Sequence, residues 1–195
     1  MTKLIMKSGI AAALMAAMSI AFPLSATADS YVTAFGGANW DDTGAYLDSD
    51  TGTIVGLAVG MPVKAVPGLR VELEVAQRNN EVDIAGFIDA QHDTTSVMAN
   101  LAYDINMDIG PARPYVLVGA GYARTEGTIE SLSLATLEGT GFAWQIGTGF
   151  RADIAEGIKL DVGYRYFSGP EIEVLNYQAS DGSNHSVIAG ISFAL

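Results

Sequence analysis

The sequence predicts an all-β fold: an eight-stranded antiparallel transmembrane β-barrel that follows a cleaved signal peptide. Two observations carry that prediction. Apolar and polar residues alternate with a period of two in segment after segment, as extended strands do when successive side chains point to opposite faces. Hydrophobic residues make up 49% of the chain, yet past residue 28 no uninterrupted apolar run reaches the ~20 residues of a membrane helix. No helical period is left to cover the apolar faces. A closed barrel with lipid outside and polar groups inside satisfies both observations, because closure leaves no strand edge unpaired in hydrocarbon.

The chain opens with a processing signal. Lys3 and Lys7 give a positive start, Ile10 to Leu24 is apolar, and Ala26-Thr27-Ala28 is a small-x-small cleavage site. Residues 1–28 read as a signal peptide and 29–195 as one barrel domain. The apolar stretch is short for an anchor helix and carries Pro23 near its end. Without Lys3 and Lys7 the 10 basic residues become 8 against 22 acidic ones, a net of −14. That balance excludes nucleic acid as a partner, since phosphate binding needs clustered Lys and Arg. The chain has no cysteine, which removes disulfides and thiolate metal sites.

Eight segments follow in order. The first, Tyr31 to Asn39, is rich in Gly and Ala, and its facing is open. The second, Gly52 to Val63, sets Thr53, Val55, Leu57, Val59 and Met61 against Gly56, Ala58 and Gly60. The third, Leu69 to Arg78, alternates Leu69, Val71, Leu73 and Val75 with Arg70, Glu72, Glu74 and Ala76. The fourth, Thr94 to Ile105, sets Val97, Ala99, Leu101, Tyr103 and Ile105 against Ser96, Asn100 and Asp104. The fifth, Pro114 to Arg124, has Val116, Val118, Ala120 and Tyr122 opposite Gly119 and Gly121. The sixth, Gly141 to Arg151, has Phe142, Trp144, Ile146 and Phe150 opposite Gln145, Gly147, Gly149 and Arg151. The seventh begins at Ile158 and opposes Ile158, Leu160, Val162, Tyr164 and Tyr166 to Lys159, Asp161, Gly163 and Arg165. The eighth, Ser186 to Leu195, exposes Val187, Ala189, Ile191, Phe193 and Leu195. Each is close to the ~9–11 residues of a tilted membrane strand.

The connections are short and long in turn. Lys64–Gly68, Asn106–Arg113 and Ala152–Gly157 are brief and carry Pro, Gly or Asp; Asn39–Thr51, Asn79–Asp93, Thr125–Thr140 and Ser168–His185 are long. Short turns on one side and long loops on the other are the habit of outer-membrane barrels, and an even strand number brings both termini to the periplasm.

The strings SVMANLAYDI (Ser96 to Ile105), RPYVLVGAGYAR (Arg113 to Arg124), FAWQIGTGFR (Phe142 to Arg151) and KLDVGYRYF (Lys159 to Phe167) resemble the small outer-membrane β-barrel proteins of Gram-negative bacteria, the OmpA/OmpX-like porin family. The resemblance covers essentially all of residues 29–195. It implies an outer-membrane location, insertion by the barrel-assembly machinery reading the last strand, and contact with outer-membrane lipid and lipopolysaccharide. The chain departs from the family pattern by ending Phe193-Ala194-Leu195 instead of on an aromatic residue. No peptidoglycan-binding domain is expected.

The inward charges are the main chemical feature: Arg70, Glu72, Glu74, Arg78, Arg151, Lys159, Asp161 and Arg165, with Asn100, Asp104 and Gln145 between them. An eight-stranded barrel is just wide enough for side chains to fill, and charges taken from water must be paired. Mixed signs favour a salt-bridged plug over a selective channel, which presents a ring of one sign. Glu72 and Glu74 are expected to meet Arg151, Lys159 and Arg165 across the lumen.

Tyr103, Tyr115, Tyr122, Phe142, Trp144, Phe150, Tyr164, Tyr166 and Phe193 are expected to form the interfacial aromatic belt. The long connections carry the acidity: Asp41, Asp42, Asp48 and Asp50; Glu81, Asp83, Asp89 and Asp93; Glu126, Glu130 and Glu138; Glu171, Glu173 and Asp181. They form a solvated rim that could contact a surface ligand, or bridge to lipopolysaccharide through divalent cations. Asp48-Ser49-Asp50-Thr51-Gly52 matches only part of a calcium loop, so no metal site and no cofactor are expected.

Catalysis on lipid A, found in some small barrels, would need a nucleophile, a base and an orienting acid. The two histidines are His92 and His185. Adjacent strand residues face opposite ways, which disfavours a His185–Ser186 dyad. The sequence therefore reads as a non-enzymatic barrel with a structural or surface-interaction role. A narrow pore is the alternative, and a lipid A enzyme or a soluble lipocalin-like barrel is more remote.

Overall fold

The computed structural model describes residues 29–41, 51–84, 88–107, 110–129, 136–170, 173–174, 177–178 and 182–195. The predicted leader, residues 1–28, lies outside them. Ten strands follow in order: β1 (Tyr31–Asp41), β2 (Gly52–Pro62), β3 (Leu69–Ile84), β4 (Ile88–Asp104), β5 (Ala112–Ile129), β6 (Thr136–Ala155), β7 (Ile158–Ser168), β8 (Glu173–Val174), β9 (Tyr177–Gln178) and β10 (Ser183–Ala194). Eight of them close a barrel in the order β1-β10-β7-β6-β5-β4-β3-β2, every neighbour antiparallel. The seam is formed by β1 and β10, from Tyr31↔Ala194 to Asp41↔Asn184. The remaining pair, β8 and β9, is a small hairpin in the last long connection.

Alternation decides which way each strand turns. Val55, Leu73, Val97, Leu101, Val116, Val118, Tyr122, Phe142, Ile146, Phe150, Val162, Val187, Ile191 and Phe193 stand on the outer surface of the wall. So large a continuous apolar exterior is a liability in water but the natural complement of acyl chains. The opposite parity is buried in every strand: Ile54 and Ala58 in β2, Glu74 and Arg78 in β3, Asn100 in β4, Gln145 in β6, Asp161 and Arg165 in β7, Ser186 and Ser192 in β10. The first strand, left open by its small residues, turns Tyr31, Thr33, Phe35 and Asn39 inward.

Strand lengths differ from the sequence expectation on one side. The stretch Asn79–Asp93 reads as a loop, yet the β3–β4 ladder continues through it to Ile84↔Ile88. Thr125–Thr140 likewise carries the β5–β6 ladder on to Thr128↔Thr136. Lipid demands apolar alternation only across the hydrocarbon. Beyond it a hairpin still pairs its backbone groups while the side chains turn polar, so the pattern fades before the strand does. At the other end the turns are tight. Gly68 has φ +87°, and a Cβ there would lie 2.7 Å from the Asp104 carbonyl oxygen, so the β2–β3 turn requires glycine.

Candidate functional site

The lumen holds the chemistry, and it is layered. Nearest the short turns, Arg70 donates from Nε to both carboxylate oxygens of Asp104 at 3.1 Å and from Nη2 to Oδ1 at 2.8 Å. Its Nη1 donates to Tyr31 Oη at 2.7 Å and pairs with Glu72. The Tyr31 hydroxyl donates in turn to Glu72. Arg151 donates from Nη2 to Ser192 Oγ at 2.8 Å, stands 3.7 Å from Asp161 Oδ2, and lays its guanidinium 4.4 Å from the Tyr31 ring centroid. Tyr115 Oη donates to the other Asp161 oxygen at 2.8 Å. Space for that tyrosine comes from two glycines: a Cβ at Gly149 or Gly163 would lie 2.7 or 2.6 Å from its hydroxyl.

The middle layer is built around Glu74, which is 0% exposed. Its Oε2 pairs with Arg165 and accepts from Asn100 Nδ2 at 3.0 Å. Gln145 Nε2 reaches Glu74 Oε1 at 3.4 Å and Asn100 Oδ1 at 2.8 Å. In the barrel order β3 and β7 stand four strands apart in either direction. The Glu74–Arg165 pair therefore spans the full bore. Three donor groups on one carboxylate are what a buried charge needs to offset lost hydration.

Above this layer the interior turns apolar. Phe35, Ile54, Ala76 and Ile188 form one buried cluster and Met98, Ala123, Ala143 and Phe167 another. Arg78 lies among them, 1% exposed, donating to Ser96 Oγ at 2.9 Å with its guanidinium 3.9 Å from the Phe167 ring centroid. At the long-loop mouth Ser186 donates to Asn39, Asn39 to Asn80, and Asn80 to Asp41.

Two sequence expectations change here. Glu72 does not cross the lumen to Arg151, Lys159 or Arg165. It pairs with Arg70, two residues away on the same face of its own strand, and with Tyr31 of β1, because the shorter reach orders less chain. Lys159 does not join the buried network either. Its side chain is 45% exposed and pairs with Asp153, since inward parity one residue into β7 points only at the open end. There a vestibule of about 440 Å³ is lined by residues including Arg70, Asp104, Arg113, Arg151, Asp153 and Lys159. Among the described residues, a void of about 10 Å³ lies where the network meets the apolar cluster above it, bordered by Thr33, Phe35, Glu72, Asp161, Arg165 and Ile188.

Comparison with known proteins bears on this barrel as a whole. The model of the outer membrane protein beta-barrel domain matches residues 10–194. The chain belongs to that family. Among curated proteins, none matches. Neisserial surface protein A superposes with a TM-score of 0.63 at 18% identity, over 85% of this chain and 97% of that one. A major outer membrane protein from Thermus thermophilus gives 0.59 at 10% identity, over 85% and 99%. The attachment invasion locus protein Ail of Yersinia pestis, in complex with the heparin analogue sucrose octasulfate, gives 0.54 at 17% identity, over 86% and 97%. Each shares the fold.

The exterior of this outer-membrane barrel corrects a further expectation. Tyr115 is not part of the aromatic belt: its parity is that of Leu117, and it is buried inside. Tyr31, Phe35 and Phe167 are interior aromatics too. On the outer wall, Tyr164 bonds His185 through Nδ1, and His185 stacks on Trp40 at 6.1 Å between ring centroids. Ser186 faces the lumen and bonds Asn39, so His185 and Ser186 lie on opposite sides of the wall. The side chain of His92 lies outside the described residues. Arg124 bridges Glu126 at 3.0 Å and Glu138 at 2.9 Å near the long-loop end. Among the described residues no group of three or more His, Cys, Asp or Glu is placed to hold a metal ion.

Proposed function

We infer that this protein is an integral outer-membrane barrel with a closed lumen, serving a structural and surface-contact role with its long connections outside the cell and both termini in the periplasm. The observation that carries the reading is the filled interior: where the ion-pair network meets the apolar side chains, the void among the described residues is about 10 Å³, barely the volume of one water. A barrel that conducts nothing contributes by what its rim and its wall touch. The relatives agree in kind, one being named a surface protein and another an attachment protein. Contact chemistry differs, however. The acidic long connections disfavour a polyanion such as the sulfated sugar in the Ail complex and favour cationic partners, or anionic lipopolysaccharide bridged by divalent cations.

Planar-bilayer recording of the refolded protein tests closure. No steady conductance is expected, and an ohmic open level in every insertion would overturn the reading. Orientation is tested separately, because the chain has no cysteine and single ones can be introduced. On intact cells a membrane-impermeant maleimide should label Glu138→Cys, and should label Glu156→Cys only after the outer membrane is permeabilised. The reverse order would overturn the orientation.

A further inference from the structure

Two of the three buried apolar clusters inside the lumen have an arrangement that the ion-pair network does not explain. Phe35, Ile54, Ala76 and Ile188 come from β1, β2, β3 and β10; Met98, Ala123, Ala143 and Phe167 come from β4, β5, β6 and β7. Each of the eight barrel strands thus contributes one residue to these two clusters, and the two sets are complementary halves of the wall. Arg78 links the halves. It grows from β3, two residues from Ala76, and its guanidinium covers the Phe167 ring of the other half at 3.9 Å. Unlike Arg70, Arg151 and Arg165, it has no carboxylate within ion-pair distance among the described residues. Its Nε and Nη2 make no hydrogen bond to them either.

A cation left without a counter-charge in an apolar layer is costly. Its position gives that cost a use. Fourteen of the 22 acidic residues, and no Lys or Arg, fall in the sequence of the four long connections. Connections of that charge attract cations to the end of the barrel they join. A fixed positive charge in the neck below repels the same ions, and an apolar constriction resists wetting.

We propose that the lumen is sealed by this apolar layer and not by the Glu74–Arg165 network, and that Arg78 is its cation barrier. The proposal rests on the closed-lumen reading and deepens it. The network below holds the bore in register; the layer excludes water and ions. Arg78 acts in two ways: its bulk fills the gap between the half-layers, and its charge sets which ions can cross once the layer is breached.

Bilayer conductance and reversal potential in a KCl gradient separate these roles. Each variant is first checked for the faster unheated migration of a folded barrel. The wild type and the charge-neutral pair Glu74→Gln/Arg165→Met should both stay closed. Phe167→Ala should open the neck, raising conductance at least tenfold over the wild-type background, with a reversal potential leaning to anions because Arg78 remains. Ile54→Ala, in the other half-layer, provides an independent breach should Phe167→Ala fail to fold. Adding Arg78→Met to either breach should shift the reversal potential to cation preference. A network pair variant that conducts while the wild type is closed would overturn this proposal alone. Breach variants that stay closed, or a selectivity indifferent to Arg78→Met, would also overturn it. A wild type that conducts freely would overturn the closed-lumen reading first.

Discussion

Two arginines inside one barrel are buried to almost the same degree and are accommodated in opposite ways. Arg165 faces Glu74, whose carboxylate also takes hydrogen bonds from Asn100 and Gln145. Arg78, on β3 like Glu74, has a serine hydroxyl and an aromatic face instead. The difference shows that burial alone does not say what a charge does. The lower lumen is a network of crossing ion pairs and hydrogen bonds, in which each charge depends on its partners. The upper lumen is a packed apolar layer with one cation held by its geometry. Stability should therefore be concentrated in the first and ion exclusion in the second.

The largest expected effect breaks the matched half. Arg165→Met leaves Glu74 fully buried without its counter-ion and should cost about 3–5 kcal/mol of unfolding free energy, read from urea titration of the folded barrel in detergent or lipid. Glu74→Gln in the same chain should recover much of that loss, and a double-mutant cycle should return a clear coupling. Zero coupling would mean that the crossing pair carries no stability. Next comes the wall: Leu73→Arg puts a charge on the lipid face and should cost about 2–4 kcal/mol if the site lies near the midplane. Tolerance of Arg at Leu73 equal to that at Glu74 would refute the facing of β3. The upper lumen should respond least among buried sites. Arg78→Met gives up one hydrogen bond and a cation–π contact, together about 1.5–3 kcal/mol, but also removes an unpaired buried charge whose penalty is of the same order. A net change within about 1 kcal/mol is expected. A loss as large as that of Arg165→Met would erase the contrast between the two arginines.

The contrast also marks where the sequence could be read. Period-two alternation announces the lipid face, because lipid imposes one rule on every outward position of β3, β4 and β7. Pairing inside is not announced, because it depends on heights and reaches that alternation does not encode. Glu72 had three basic candidates across the bore, and the nearer Arg70 took it. Residue type alone puts Tyr115 in the belt, whereas its parity against Val116 and Val118 puts it inside. The apolar layer had a faint signal of its own. Ile54 beside Val55 and Met98 beside Val97 break strict alternation, as residues do when a strand is apolar on both faces. The acidic rim is legible as charge and nothing more, since most of it lies outside the described residues.

Lys159 and Asp153 provide the smallest and most diagnostic prediction. Their pair resembles the interior ones on paper, with opposite charges on neighbouring strands and the same inward parity, but both side chains are about half exposed, at 45% and 61%. Water and salt screen such a pair, and holding two long side chains in one geometry costs entropy, so exposed pairs contribute about 0–1 kcal/mol. Lys159→Met should shift unfolding by no more than that, and the shift should vanish when ionic strength is raised. The loss caused by Arg165→Met should persist in the same salt, because Glu74 is 0% exposed and salt screens buried charges far less than exposed ones. If both variants lost their effect in high salt, the interior would be wet. The contrast between a sealed lumen and an open vestibule would then collapse.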